Sequence, residues 1–181
     1  MIHESKYWKD ELLVVSRKLK TWKKLKNFSR LEGKLFRIEK NIFIGAYAVR
    51  KLLDSYKVAS NLSNMPLNIV RYSPNGKEVT FMNKDDIDDL YDPDNGSLDQ
   101  LPLREFCNQI VHSYVFIIDL DDEGITGIFV SSDRERNSKL LYIPVDEIVK
   151  TFEVIGNDYP SEMRMTYNPK RKDYDIQLDS N

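Results

Sequence analysis

The sequence has one cysteine, Cys107, and two histidines among its 181 residues. A single cysteine cannot form an internal disulfide, which favours a reducing compartment. The longest apolar run covers residues 42–49 and is far shorter than the ~20 residues that span a bilayer. The first ten residues lack the apolar segment of a signal peptide. These absences predict a cytoplasmic protein without a membrane partner.

Several motifs of common functional sites are also missing. The sequence has no P-loop Gly-x-x-x-x-Gly-Lys, no Gly-x-Gly-x-x-Gly, no Cys-x-x-Cys and no His-Glu-x-x-His, which removes the usual signals for nucleotide and zinc sites. The stretch Asp92-Pro-Asp94-Asn95-Gly96 begins like a calcium loop. However, glycine stands at the fifth ligand position, and leucine stands at the twelfth position in place of glutamate. We therefore expect neither a metal nor a cofactor.

The charged residues are unevenly distributed. Residues 1–60 contain 15 Lys/Arg and 6 Asp/Glu, whereas residues 61–181 contain 12 and 23. One interpretation is a basic helical face that binds a polyanion such as RNA. The other is that the basic helices pair with the acidic remainder of the same fold. The candidate RNA-binding lysines on the first helix are Lys20, Lys23, Lys24 and Lys26.

The first sixty residues predict two long helices. Apolar residues recur at spacings of three and four from Trp8 to Trp22 and from Leu35 to Tyr56, as on one face of a helix. We expect Ser5 to cap a helix over residues 6–26 and Ser29, with Glu32, to cap a second helix that runs to residue 59. A short link between them predicts an antiparallel helical hairpin.

The remainder predicts mixed structure. Residues 67–72 and 78–82 flank a Pro/Gly turn and predict a β-hairpin. A third long helix is expected from residue 98 or 102 to 114, followed by a β-meander with strands 115–120, 125–131 and 140–143, and a short helix over 146–155. The predicted fold is α+β, in one domain over 1–160 with a flexible polar tail over 161–181.

One polar stripe carries the candidate chemistry. Arg104, Asn108 and His112 are successive i+4 neighbours on the third predicted helix and would share one face. A histidine can take a proton from a ribose hydroxyl near neutral pH, and an arginine can clamp a phosphate. We assign His112 as a candidate general base, Arg104 as a phosphate clamp and Asn108 as an orienting group. A structural alternative is that the stripe satisfies only backbone and side-chain groups of the same fold.

The segment Cys107-Asn108-Gln-Ile-Val-His112-Ser-Tyr114 resembles the Arg-Asn-x-x-x-His-x-Tyr signature of HEPN domains. This resemblance implies a helical, often dimeric module in toxin–antitoxin, CRISPR-linked or other defence systems, many members of which are metal-independent ribonucleases. Asn108, His112 and Tyr114 match the signature, whereas Cys107 occupies the position of its arginine. The lone cysteine itself is interpreted as a small core residue.

Three functions remain open at this stage. The first is a HEPN-like, homodimeric module that binds RNA or regulates a partner in an RNA- or defence-linked system, with Tyr114 among its binding residues. The second is an endoribonuclease that uses His112 without a metal. The third is an antitoxin or immunity protein whose acidic part covers a basic partner protein.

Overall fold

The fold was taken from a computed structural model of the chain, which describes residues 2–24 and 31–180. The helices of this part are α1 (Ser5–Trp22), α2 (Leu31–Asp54), α3 (Ile87–Leu90), α4 (Leu103–Val111) and α5 (Val145–Asn157). The strands are β1 (Pro66–Tyr72), β2 (Ser97–Pro102), β3 (Ser113–Leu120), β4 (Ile125–Ser132), β5 (Leu140–Pro144), β6 (Glu162–Asn168) and β7 (Asp173–Asp179). The mixed α+β class predicted from the sequence is confirmed.

Five strands form one antiparallel sheet in the order β2-β1-β5-β4-β3. The predicted meander is confirmed, because β3, β4 and β5 pair consecutively with Ile118 opposite Ile128 and Ile128 opposite Ile143. Alternation along β4 places Ile128 and Val130 in the main core. Phe129 points to the opposite face, where its ring lies 4.9 Å from that of Tyr142.

The main core lies between the helices and one face of this sheet. Leu12, Val15 and Leu19 of α1 are buried, and so is the predicted α2 stripe from Ile38 to Leu53. Both sets belong to one cluster with α5 and the sheet. The apolar periodicity in the sequence therefore identified the buried residues in the middle of both helices, whereas Trp8 and Tyr56 at the ends of the predicted seams are exposed.

One close contact between helices occurs at Gly45 in the middle of α2. A Cβ atom built on Gly45 would lie 2.4 Å from the ring of Phe152 on α5, closer than any real contact permits. The Phe152 side chain is fully buried. The small residues at this point of α2 therefore admit an aromatic ring from another helix.

The predicted hairpin of residues 67–72 with 78–82 is wrong. β1 instead pairs with β2 on one side, with Leu67 opposite Leu101, and with β5 on the other. Val79 from the second predicted strand is buried against the opposite face of the sheet, and its N–H donates to Asn137 Oδ1 at 2.8 Å. Tertiary pairing thus outweighed the local turn signal, as it commonly does for strands.

Three helices also differ from their predicted bounds, and the first of them is α2, which ends at Asp54 and not at residue 59. The third helix, α4, has nine residues and ends at Val111, because His112 is its C-cap and Ser113 begins β3. The α1 helix ends at Trp22, and its N-cap is Glu4, whose carboxylate accepts from Lys6 N at 2.9 Å. The predicted capping residue Ser29 and the candidate RNA-binding residue Lys26 lie outside the described residues.

The C-terminal segment is the largest departure. Residues predicted to form a structureless tail instead form the antiparallel β6–β7 hairpin, with Met165 opposite Ile176 and Tyr167 opposite Tyr174. Apolar residues alternate with polar ones along both strands, which is the period of two that is typical of a β-strand. Because half of the residues in these strands are polar, the sequence predicts no ordered element here.

The Gly45 contact predicts opposite effects for two glycine substitutions in α2. Gly45→Ala should lower the free energy of unfolding by about 1–3 kcal/mol, because the added methyl group would overpack against Phe152. Gly33→Ala should raise it by about 0.5–1 kcal/mol, because a Cβ atom at Gly33 meets nothing within 4 Å. Urea unfolding followed by circular dichroism measures both values. Equal effects at the two positions would contradict the packing interpretation.

Buried Lys9 predicts a second stability effect. Its ammonium donates to the carbonyl of Lys57 at 2.8 Å and to that of Asp158, which lie just beyond α2 and α5. Lys9→Met should cost about 1.5–3 kcal/mol of unfolding free energy, because two buried carbonyls lose a charged donor. Lys18→Met on the exposed side of α1 should change stability by less than about 0.5 kcal/mol. Similar midpoints for the two variants in urea would argue against this role of Lys9.

Candidate nucleic-acid interface

A groove with a volume of about 560 Å³ runs between α1 and α2. Its apolar lining consists of Trp22 from α1 and Phe36 and Ile44 from α2. Phe36 is 61% exposed, which is unusual for a side chain of this size. The polar lining is mostly cationic or neutral: Lys18, Arg37, Lys40, Asn41 and a single acid, Glu11.

The three cations of this groove form no salt bridge within the described chain, and Glu11 is the one acid that lines it. Lys18 reaches only the neutral amide oxygen of Asn41, at 3.5 Å. Among the described residues, neither Arg37 nor Lys40 forms a salt bridge. Three positive charges therefore remain available beside the exposed ring of Phe36 and the partly buried ring of Trp22.

The groove continues along the outer face of α2. Exposed or half-exposed residues follow at spacings of three and four within a sector of roughly 80°: Phe36, Lys40, Ile44, Tyr47 and Lys51. The ammonium of Lys51 lies 5.5 Å from the centre of the Tyr47 ring. This α2 track spans about 22 Å at 1.5 Å per residue and carries two lysines among apolar and aromatic side chains.

The lysines predicted from the sequence have different surroundings. Lys20 pairs with Glu153 at 2.6 Å and Lys23 with Asp146 at 2.5 Å, both on α5. For these two residues the interpretation of pairing within the fold is correct, so their charges are largely balanced. Lys24 is exposed at the end of the described part of α1.

The predicted polar stripe is tied into a network with α2. Arg104 donates to Asp54 at 2.7 Å and to Ser63 at 3.4 Å. Arg50 donates to the other oxygen of Asp54 at 3.0 Å and to the amide oxygen of Asn108. The amide nitrogen of Asn108 in turn donates to Glu105 at 3.2 Å. The stripe thus joins α4 to α2, and the guanidinium of Arg104 is paired with the carboxylate of Asp54.

The Asp54 carboxylate has an altered acidity within this network. Partial burial favours its protonated form, but hydrogen bonds and charge attraction from Arg104 and Arg50 more than offset this effect, so the pKa of Asp54 is lowered. Asp54 therefore stays ionised under neutral conditions and holds both arginines.

The third stripe residue, His112, occupies a separate place. It is the C-cap of α4, and its carbonyl accepts from Asp133 N at 2.9 Å. Its side chain is exposed at an open cleft of about 450 Å³, which Asn108 and Arg134 also line. The structure therefore brings His112 and Asn108 to one cleft, with Arg104 turned toward Asp54.

Gln109 fixes the floor of this cleft. Its amide oxygen accepts from Ser132 N at 2.9 Å, and its amide nitrogen donates to Glu135. Glu135 also pairs with Lys139 at 3.0 Å. These bonds connect α4 to β4 and to the loop that follows it, and they hold the loop that carries Arg134.

The remaining two residues of the HEPN-like segment lie away from the cleft lining. Cys107 is fully buried in the main core, as predicted, and burial raises the pKa of its thiol to about 12. The thiol is therefore protonated and unreactive at neutral pH. Tyr114 lies on β3, where the guanidinium of Arg136 stacks 3.9 Å from the centre of its ring.

Residues 2–24 and 31–180 contain neither a metal-binding cluster nor a membrane-spanning helix. In this part of the chain, no group of three or more His, Cys, Asp or Glu side chains is arranged to hold a metal ion. No helix in it is long and apolar enough to cross a bilayer.

Comparison of the chain with protein-family models, with curated proteins and with solved structures found no match. The candidate interface therefore depends on the geometry and charge of the residues themselves.

Sequence analysis missed the residues of the groove and the α2 track. Phe36 and Tyr47 lie outside the buried seam of α2, and large apolar residues outside a helical seam are a detectable signal. What the sequence could not provide was the identity of the acids that neutralise each lysine, since Asp146 and Glu153 are more than a hundred residues from their partners.

The network around Asp54 predicts a pH-dependent stability difference. Asp54→Asn should lower the free energy of unfolding at neutral pH, because it removes the carboxylate that holds Arg50 and Arg104. Since the folded-state pKa of Asp54 lies below the ordinary value of 3.8, this contribution is complete above that value and is lost as the pH falls through the folded-state pKa. Urea unfolding of both proteins between neutral and acidic pH measures the difference, and a gap independent of pH would contradict it.

Proposed function

We propose that this protein binds single-stranded RNA along the groove between α1 and α2 and the adjoining α2 track. The observation that carries the proposal is the combination of unpaired cations with exposed aromatic rings on one continuous surface. Single-stranded nucleic acids bind such surfaces, because cations follow the backbone and aromatic rings stack on the bases.

The electrostatic part of the proposal depends on Lys18, Arg37 and Lys40. These cations lie beside the groove without acidic partners in the described chain, so a phosphate would not have to displace an existing salt bridge. Lys20 and Lys23 would have to give up Glu153 and Asp146 first. The phosphate backbone of the RNA is therefore expected to follow the side of α1 that faces α2.

The stacking part depends on Trp22, Phe36 and Tyr47. Phe36 and Tyr47 are 61% and 46% exposed, and eleven residues of helix separate them by about 16 Å. Every base has a face that can stack on an aromatic ring, so this surface would bind with little sequence preference. A track of about 22 Å suits a short stretch of single strand.

This function agrees with the RNA- or defence-linked setting that the HEPN resemblance implies. It assigns the binding role to α2 and leaves Arg104, Asn108 and Asp54 as the groups that fix α4 against α2. In this proposal the protein is a binding or regulatory module, and RNA is its partner.

The proposal predicts separate effects of an aromatic and a cationic substitution. Phe36→Ala should weaken binding of a fluorescein-labelled oligouridylate of about 12 nucleotides roughly tenfold, because it removes a stacking platform. Arg37→Gln should reduce the slope of log affinity against log salt concentration by about 0.7, because one phosphate contact is lost. Fluorescence anisotropy over a series of salt concentrations measures both effects.

Two matched variants control for general effects of charge and ring loss. Lys20→Gln removes a lysine that Glu153 already balances, and Tyr7→Ala removes a 74% exposed ring outside the groove. Neither should change affinity appreciably. Equal losses in the controls would contradict the assigned surface. An absence of binding by the unmodified protein at low salt would contradict the proposal and favour the antitoxin or immunity function.

A second candidate function is metal-independent cleavage of the bound RNA, and the His112 cleft is the observation that favours it. His112, Asn108 and Arg134 line this cleft together with the acids Glu105, Asp133 and Glu135, and Arg50 of α2 reaches Asn108. In such a reaction His112 would take the proton of a ribose 2′-hydroxyl, whose oxygen attacks the adjacent phosphorus. The P–O5′ bond would break as a 2′,3′-cyclic phosphate forms, and the leaving 5′-oxygen would take a proton from water.

Cleavage predicts that a mixed RNA pool is shortened in the presence of EDTA and that His112→Ala abolishes the activity. His3→Ala is the matched control, because His3 is exposed near the N-terminus. Circular dichroism checks that both variants are folded. Equal cleavage by the unmodified protein and His112→Ala, or none by either, would contradict the catalytic function without affecting the binding proposal.

A further inference from the structure

A pocket of about 210 Å³ lies where the start of α1, the segment after α2 and the base of the β6–β7 hairpin meet. It shares no lining residue with the groove between α1 and α2. Lys9 of α1 lines this pocket and lies nine residues before Lys18 of the groove, which places the two lysines on opposite sides of the helix. A ligand of this pocket would therefore not compete with RNA for the groove.

Two lysines give the pocket positive charge. Neither Lys9 nor Lys57 forms a salt bridge within the described chain. The ammonium of Lys9 is buried and donates instead to the neutral carbonyls of Lys57 and Asp158. Glu162 is the one acid among the described lining residues, and Arg164 pairs with it at 3.6 Å. The pocket therefore presents two cations without a carboxylate partner.

The two lysines are close enough to affect each other. Burial is the main reason why the pKa of Lys9 is lowered; the charge of Asp158 opposes this effect, the charge of Lys57 adds to it, and Glu4 opposes it more weakly. The Asp158 carboxylate accepts hydrogen bonds from a backbone N–H at 2.7 Å and a serine hydroxyl at 2.5 Å, so it is already held by other groups. An anion beside Lys9 and Lys57 would offset their mutual repulsion.

Aromatic and apolar side chains form the rest of the wall. Tyr56, Tyr159 and Met163 line the pocket and are 40%, 52% and 58% exposed, whereas Leu178 is buried. Tyrosine rings stack on flat rings, and a thioether makes favourable contacts with an aromatic edge. A concave, largely apolar wall with a few polar groups is typical of small-molecule sites. This wall favours a ligand with an aromatic ring.

The backbone of Tyr56 is strained at this pocket. Its φ angle is 53°, in the left-handed region just after α2, and Lys57 N donates to the carbonyl of Leu52 at 3.0 Å. Glycine is the usual residue at this position of a helix C-terminus. Strained residues of this kind cluster at ligand sites. The strain is borne by the residue whose ring lines the pocket, next to the unpaired cation of Lys57.

We propose that this pocket binds a small aromatic anion, with its acidic group at Lys57 and its ring among Tyr56, Tyr159 and Met163. Lys57 would supply a charge-assisted hydrogen bond, and Lys9 would add its buried positive charge. The inference does not rest on the RNA-binding proposal, because the two sites have no residue in common.

Two fluorescent probes with the same ring system test the proposal on the full chain. Anilinonaphthalene sulfonate is an anion, and phenylnaphthylamine is its uncharged counterpart; the emission of both rises in an apolar pocket. Lys57→Gln should weaken binding of the sulfonate roughly tenfold, because a charge-assisted hydrogen bond is lost, and should leave binding of the uncharged probe unchanged. Lys57→Arg should retain most of the affinity. Lys6→Gln removes a lysine of α1 that is paired with Asp10 and should affect neither probe.

Tyr56→Gly separates binding from folding. It should weaken binding of both probes, because a ring of the wall is lost, yet its midpoint in urea should be no lower than that of the unmodified protein, because glycine relieves the backbone strain. Absence of sulfonate binding by the unmodified protein would overturn the proposal. So would unchanged sulfonate binding in Lys57→Gln or Tyr56→Gly, and so would an equal loss of both probes in Lys57→Gln.

Discussion

The contact of α5 with α1 and α2 is the constraint on which the rest of the structure depends. Phe152 can reach the core only because Gly45 leaves room for its ring, and this contact fixes α5 beside the long helices. The acids of α5 then lie next to one side of α1, where they balance Lys20 and Lys23. The positive charge that remains unbalanced lies on the other side, between α1 and α2. A packing contact thus selects the face that is available to a polyanion.

The pairing of charges between helices also explains why the polar stripe of α4 is mainly structural. Arg104 and Arg50 share the carboxylate of Asp54, and Arg50 also binds Asn108. Partly buried charges are stable only when they are paired and hydrogen-bonded, and this network meets that requirement across two helices. His112 lies beyond the end of α4 and remains outside the network, which leaves it exposed at the cleft. Residues that look alike in a helical repeat therefore have different roles.

Sequence periodicity was most informative where burial on one face is continuous. The seams of α1 and α2, the three strands of the meander and the last helix were all predicted, because each repeats its apolar residues at a helical or strand period over a whole element. Prediction failed where pairing partners are distant. Residues 78–82 have a strand-like sequence, but of these only Val79 is buried, and it packs against the sheet. The sequence predicts a tail in place of the β6–β7 hairpin because half of the residues in its strands are polar.

The sequence by itself determined the mixed α+β class, the buried faces of the long helices and the unequal distribution of charge, because these follow from local periodicity and composition. It also identified Cys107 as a core residue. Only the tertiary structure decided which charges are paired and which are available, since salt bridges such as Lys20–Glu153 join residues far apart in the chain. The candidate binding surface is defined by that difference. For this reason the candidate binding surface consists of Phe36, Arg37 and Lys40 of α2 and not of the lysines predicted on α1.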